Sequence, residues 1–112
     1  MSGRQTETTT QRLKRHRIRV DLGEWLIDRC SPLHLMNLEE LRSVQSAYSA
    51  RTVRDNVKVR RLDPRSPQRR SVQEQIEQDR LYILRHVEPL LSKALEKELR
   101  VLIKEHREGG AS

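Results

Sequence analysis

"SARTVRDNVKVRR", residues 49–61, decides between an all-helical chain and a mixed one. Read as a helix, it places Arg51, Arg54, Lys58 and Arg61 at spacings of 3, 4 and 3, on one stripe spanning about 80° of arc. Read as a strand, it alternates Val57 and Val59 with Lys58 and Arg60, a period of two. The strand reading has a ready partner in "HRIRVDL" (16–22), where Ile18, Val20 and Leu22 alternate with Arg17, Arg19 and Asp21. The two segments would form a short β ribbon, 16–22 with 57–61. A third reading splits the region into a helix-turn-helix. Ser49 would cap a recognition helix with Val53 and Val57 inward, and Arg51, Thr52, Arg54 and Asn56 would face DNA. That reading fits less well than a continuing helix or a strand. Its turn would hold Ser46, Ala47 and Tyr48 with no glycine, and the interval from Leu41 to Ser49 is one residue longer than the common pattern.

Outward from this stretch, helical signals dominate. Asn37 with Glu40 has the spacing of a capping box, and it opens "LEELRSVQSAYSA" with Leu38, Leu41, Val44 (or Gln45) and Tyr48 on one face. Asp21 with Glu24 offers a second box for a shorter helix, "LGEWLIDRC", whose Trp25 and Leu26 are expected to point inward. Ser31-Pro32 ends it. Downstream, "LDPRSPQRRS" (62–71) carries two prolines and reads as a linker. Ser71 and Glu74 then cap a long amphipathic helix over 72–108.

In that helix, Ile76, Ile83, Leu84, Val87, Leu90, Leu91, Ala94, Leu95, Leu99, Val101 and Leu102 share one half-cylinder at 100° per residue. Pro89 falls on the opposite, polar side, so one helix kinked near 89 fits the pattern as well as two helices do. Glu98 and Glu105 lie inside the apolar arc, where a partner's arginines would match them. The face is wider than one covering helix needs. It therefore predicts dimerisation or docking of another helical protein, through Ile83, Leu84, Val87, Leu91, Leu95 and Leu102.

The expected architecture is thus mostly α: a small helical bundle with a long C-terminal helix. Residues 1–10 are expected as a disordered tail, 11–62 as a basic helical region and 63–71 as a Pro/Arg linker. The 112-residue chain is 34% hydrophobic and 35% charged, with no Phe, one Trp and two Tyr. Its core must be thin and aliphatic.

Charge is unevenly spread. Residues 1–71 hold 16 Lys/Arg against 8 Asp/Glu, and residues 72–112 hold 7 against 8. A basic first half and a near-neutral second half point to an anionic polymer for the one and a protein for the other. Candidate phosphate contacts are Arg12, Lys14, Arg15, Arg17 and Arg19 in the cluster around "RLKRHR", and Arg51, Arg54, Lys58, Arg60 and Arg61. Stacking aromatics are scarce, so duplex DNA or RNA backbone suits this composition better than single strands.

A protein–protein adaptor without a nucleic-acid role is the alternative, and a small viral or mobile-element accessory protein is also compatible. Ser66 before a proline and Ser71 after two arginines have the setting of phosphorylation sites, with Ser71 expected at a helix N-terminus.

Other classes find no support. The four histidines are isolated, no glycine-rich phosphate loop exists, and a lone Cys30 permits neither an internal disulfide nor a cysteine-based metal site. No enzyme, cofactor or metal is expected. No apolar run approaches the roughly 18 residues of a membrane span, and the Arg-crowded opening lacks the clean face of a targeting segment. The expected setting is intracellular, cytoplasmic or nuclear.

Overall fold

A computed structural model describes residues 8–110. The chain is mostly helical, and the described residues contain no strand. Helix α1 spans Thr9–Asp28, a single 3-10 turn spans Leu33–Leu35, and α2 spans Leu38–Arg61. Helix α3 (Pro67–Tyr82) continues through a π-helical turn, Ile83–Val87, into α4 (Glu88–Gly110). The disordered tail expected over 1–10 falls on residues 1–7, which lie outside the described residues, and on 8–10, which open α1.

The β ribbon of 16–22 with 57–61 is not formed: the first segment lies inside α1 and the second inside α2. Three alternating apolar residues are too few to outweigh the signals for helix on either side. Helix α1 starts at Thr8, not at Asp21. The Thr8 hydroxyl accepts from the Gln11 amide at 3.1 Å, and the Gln11 side chain accepts from the Thr8 N–H at 2.9 Å. Within α1 the inward positions are Leu22, Gly23 and Leu26, at helical spacing, and Ile18 stays exposed. In α2 the same logic applies. Val59 is buried four residues after buried Asp55, whereas Val57 is exposed. Lys58, Arg60 and Arg61 occupy the last turn, where cations meet the negative end of the helix dipole.

Asn37 and Glu40 form the capping box that opens α2, with bonds of 2.8 and 3.1 Å. Leu38, Leu41 and Val44 are buried and Tyr48 is half-buried, as the spacing predicts. Helix α1 closes in a Schellman turn. The Ser31 N–H bonds Leu26 O at 3.1 Å and the Cys30 N–H bonds Ile27 O at 2.9 Å. Cys30 takes the left-handed position with φ 53°, one that glycine fills more cheaply.

Between α2 and α3 the connection is shorter than the linker read over 63–71. The Asp63 side chain accepts from Arg65 N–H at 2.9 Å, and the Ser66 hydroxyl accepts from Gln68 N–H at 3.2 Å. Ser66 is the N-cap and Pro67 the first helical residue, a position where proline's missing N–H costs nothing. Ser71 therefore lies within α3, exposed, rather than at its N-terminus.

Residues 67–110 form one unbroken helical run that passes Pro89. At about 1.5 Å per residue such a run is about 66 Å long, and it accounts for the 68 Å long axis of the molecule. Ahead of Pro89, the Glu88 N–H bonds Ile83 O, an i to i−5 bond. Proline brings no N–H and crowds the preceding turn; a π turn sits directly before it. Where the kink is expected, near 89, the helix carries this wider turn.

Helix α2 runs antiparallel to this long helix. Leu62 lies near Arg69, Arg51 near Asp79 and Tyr48 near Tyr82. Helix α1 crosses α2 at Gly23, whose absent side chain lets it approach the backbone of Ser43. The core is small: Leu26, Val44 and Val87 at the centre, with Leu22, Ile27, Leu33, Met36, Tyr48, Tyr82, Ile83 and Leu91 packed around them. Trp25 does not join it. It is 53% exposed, with the Arg29 guanidinium stacked 4.4 Å over its ring.

Candidate nucleic-acid interface

The basic residues divide into three groups by what the fold does with them. The first is the N-terminal half of α1. No residue from 8 to 18 is buried, and Arg12, Lys14, Arg15 and Arg17 are all exposed on a stretch of helix that turns no side chain to the core. Within the described residues Arg12, Lys14 and Arg17 make no ion pair. Lys14 with Arg17 and Arg12 with Arg15 stand three apart, so like charges adjoin along the surface. The first turn carries no acidic residue to offset them.

The second group is tied into the fold. Arg19 donates through Nε to Glu39 Oε1 at 2.9 Å, with Nη2 2.8 Å from the same oxygen, clipping α1 to the start of α2. Arg54 reaches Glu24 at 3.3 Å. Arg51 is the most committed. Its Nε donates to Asp79 Oδ2 at 2.7 Å and its Nη2 pairs with Oδ1, a two-pronged bridge from α2 to α3.

Asp79 is 3% exposed and also accepts from Gln75 Nε2 at 2.9 Å. The carboxylate hydrogen bond holds Arg51 in its charged form, raising its pKa above the usual arginine value. The guanidinium lies 4.9 Å over the Tyr48 ring, and burial raises the Tyr48 pKa above the ordinary phenol value. Half of the stripe read from the sequence thus belongs to internal contacts. Ser49 lies inside unbroken α2, and Val53 faces outward at 64% exposure. The helix-turn-helix reading fails on both points.

The third group sits at the corner where α2 meets α3. Lys58, Arg60 and Arg61 are exposed, and Arg65 and Arg70 follow them across the turn, also exposed. Arg69 donates from Nη1 to Leu62 O at 3.4 Å, which keeps the start of α3 against the end of α2. Sequence reasoning misses Arg65, Arg69 and Arg70 because it places them in a linker. Only the short turn shows that they adjoin Arg61.

The apolar residues named for partner docking also divide. Val87 is fully buried, and Ile83 and Leu91 are half-buried against α1 and α2, so these three serve the internal core. Leu84, Leu95 and Leu102 are exposed. Beyond Ala94, α4 extends past the start of α2. There a groove of about 520 Å³ opens between Met36, Leu38, Val101 and Leu102, with Glu98 and Glu105 along it. Among the described residues no group of His, Cys, Asp or Glu converges into a metal-sized cluster, and no helix is long and apolar enough to cross a membrane. Comparison of the chain with protein families, curated proteins and solved structures returned no match.

Proposed function

We propose that this is a non-enzymatic binding protein whose basic surfaces contact the backbone of duplex DNA or RNA, while α4 serves dimerisation or partner docking. The observation that carries the nucleic-acid reading is the α1 arm, two and more turns of helix with basic residues on all sides and nothing buried. Such an arm is unfavourable by itself. Its cations repel along the surface and oppose the positive end of the helix dipole. Duplex phosphates reverse both terms. A major groove about 12 Å wide accepts a helix of about 10–12 Å diameter. The corner group of Lys58, Arg60 and Arg61 adds a second basic surface. Neither surface brings stacking aromatics, which suits a duplex backbone better than single strands.

A competing reading has its own observation. Arg19, Arg51 and Arg54 all meet carboxylates of this same chain, which favours arginine as a protein-contact residue here. In that case the arm would dock on an acidic protein surface. Filter binding with a short duplex at several salt concentrations separates the two. Triple charge reversal, R12E/K14E/R17E, is expected to weaken binding and to flatten the salt slope by about 2.7, at roughly 0.9 for each phosphate that is no longer neutralised. Absent binding at low salt, or an unchanged slope in the triple variant, would sink the nucleic-acid reading. Arg51 is left out of such variants because its loss damages the fold.

A further inference from the structure

We infer that the outer face of α4 pairs with the same face of a second copy, the two helices running parallel. This rests on the docking role proposed for α4 and not on the nucleic-acid role of the arm.

The long helix presents two apolar sides. One holds Ile83, Val87 and Leu91 and packs in the core. The other holds Leu95, Leu99, Leu102 and Ile103, which are between 42% and 58% exposed. Leu95, Leu99, Leu102 and His106 follow each other at spacings of 4, 3 and 4, the seam of a left-handed coiled coil. A projecting helix of this length gains its stability from packing rather than from propensity. Among the described residues none buries this side, and only Leu102 borders the groove it shares with Met36 and Leu38.

Two arguments name the occupant. The first is area. Four half-exposed aliphatic side chains, extended by His106 and the seam's flanks, offer on the order of 400 Å² of apolar surface per chain. Two such faces, at the usual apolar fraction, make an interface near 1,200 Å², the lower edge of stable complexes. A face matched to itself needs only one surface to serve both partners.

The second argument is charge, and it sets direction. In an antiparallel pair Leu99 would layer on Leu102 of the other copy, and Glu98 would then flank Glu105, twice by symmetry. Like charges so placed oppose pairing. In a parallel pair each seam residue meets its own counterpart, and Glu98 comes beside Ile103 of the other copy. No like-charged pair arises.

Sedimentation of the full chain without nucleic acid tests this. The expected mass is twice the 13.3 kDa of one chain. The variant L99E/L102E is expected to run as a monomer with unchanged helical circular dichroism, since both side chains lie outside the core. V53E, on exposed α2 surface, is expected to remain dimeric. For direction, a C30S background carrying Leu102→Cys is expected to cross-link to itself on mild oxidation, whereas in a mixture of Leu99→Cys and Leu102→Cys chains the two kinds are expected not to cross-link to each other, as peptide mass spectrometry of the disulfides reads out. A monomeric wild type, or a dimer that survives L99E/L102E, would overturn the seam. Preferential cross-linking in the mixture would overturn the parallel direction. Each of these results leaves the duplex titration untouched, so the two proposals fail separately.

Discussion

Replacing Gly23 by alanine drives a methyl group into the backbone of α2. An ideal Cβ at this position lies 1.9 Å from Ser43 O, 2.5 Å from Ser43 C and 2.8 Å from Ala47 Cβ. Ordinary contact begins near 3.4 Å, so α1 must retreat by about 1.5 Å or tilt. No side-chain rotation relieves the clash, because the nearest atoms are a helix carbonyl. Overpacking of this kind costs roughly 1–3 kcal/mol and occasionally more. The retreat also loosens Leu26 against Val44, where a gap of even 0.5–1 Å forfeits about a quarter to a half of the dispersion attraction. Alanine's better helix propensity returns about 1 kcal/mol. With the loosened packing offsetting most of that return, the net expectation is a loss of about 1–3 kcal/mol, a sizeable share of the stability of a chain this small.

At the usual scaling for small domains this lowers Tm by about 5–15 °C. Thermal and urea unfolding followed by circular dichroism at the helical minimum measures it. Gly109→Ala is the matched control, since a Cβ there meets nothing within 4 Å, and its Tm is expected to hold or rise slightly. A Gly23→Ala protein melting at or above wild type would refute the close crossing and the packing reasoning built on it.

Two more expectations concern the cluster between α2 and α3. Arg51→Ala leaves the buried Asp79 carboxylate with Gln75 alone. The destabilisation is expected at about 2–3 kcal/mol, below the roughly 3–5 of a fully buried pair because Arg51 is itself part-exposed. The double variant R51M/D79L should recover most of it in urea unfolding, and a double variant as unstable as the single would contradict a desolvation origin. Burial raises the Tyr48 pKa, so the folded state holds the phenol proton more tightly than the unfolded chain. Stability from this group is intact below the unfolded value of about 10 and declines as pH rises from there through the folded pKa. Urea midpoints between pH 9 and 11.5 should fall less steeply in Tyr48→Phe, and equal slopes would rule this contribution out.

Much of the helical plan is legible in the sequence because it rests on local chemistry. The Asn37–Glu40 box, the Leu38, Leu41 and Val44 face and the break at Ser31-Pro32 are interactions within a few residues, and each stands where the spacing puts it. The departures also have local causes. Two box-like pairs, Thr8–Gln11 and Asp21–Glu24, compete for one helix, and the first wins because nothing between them breaks the helical path. Ser66-Pro67 has the composition of a linker, although proline after serine is equally a helix start. Hydrophobicity alone would send Trp25 inward, yet its place on α1 is nearly opposite Gly23 and Ile27, which meet α2 and the core, and Arg29 covers it instead.

By itself the sequence determined composition-level and periodic properties: a thin aliphatic core, a basic first half, and an apolar half-cylinder along the C-terminal helix. These depend on residue type and on the repeat of one helix, which needs no neighbours. The tertiary structure alone decided which charges and which apolar residues are left for other molecules. Arg51 and Lys58 are equivalent members of one stripe until α3 brings Asp79 beneath the first and nothing beneath the second. Val87 and Leu102 are likewise equivalent until α2, antiparallel and shorter than the long helix, covers the one and ends before the other. Pairing over long sequence separation follows from where helices end and cross. Here that was fixed by a five-residue turn and by the missing side chain of Gly23.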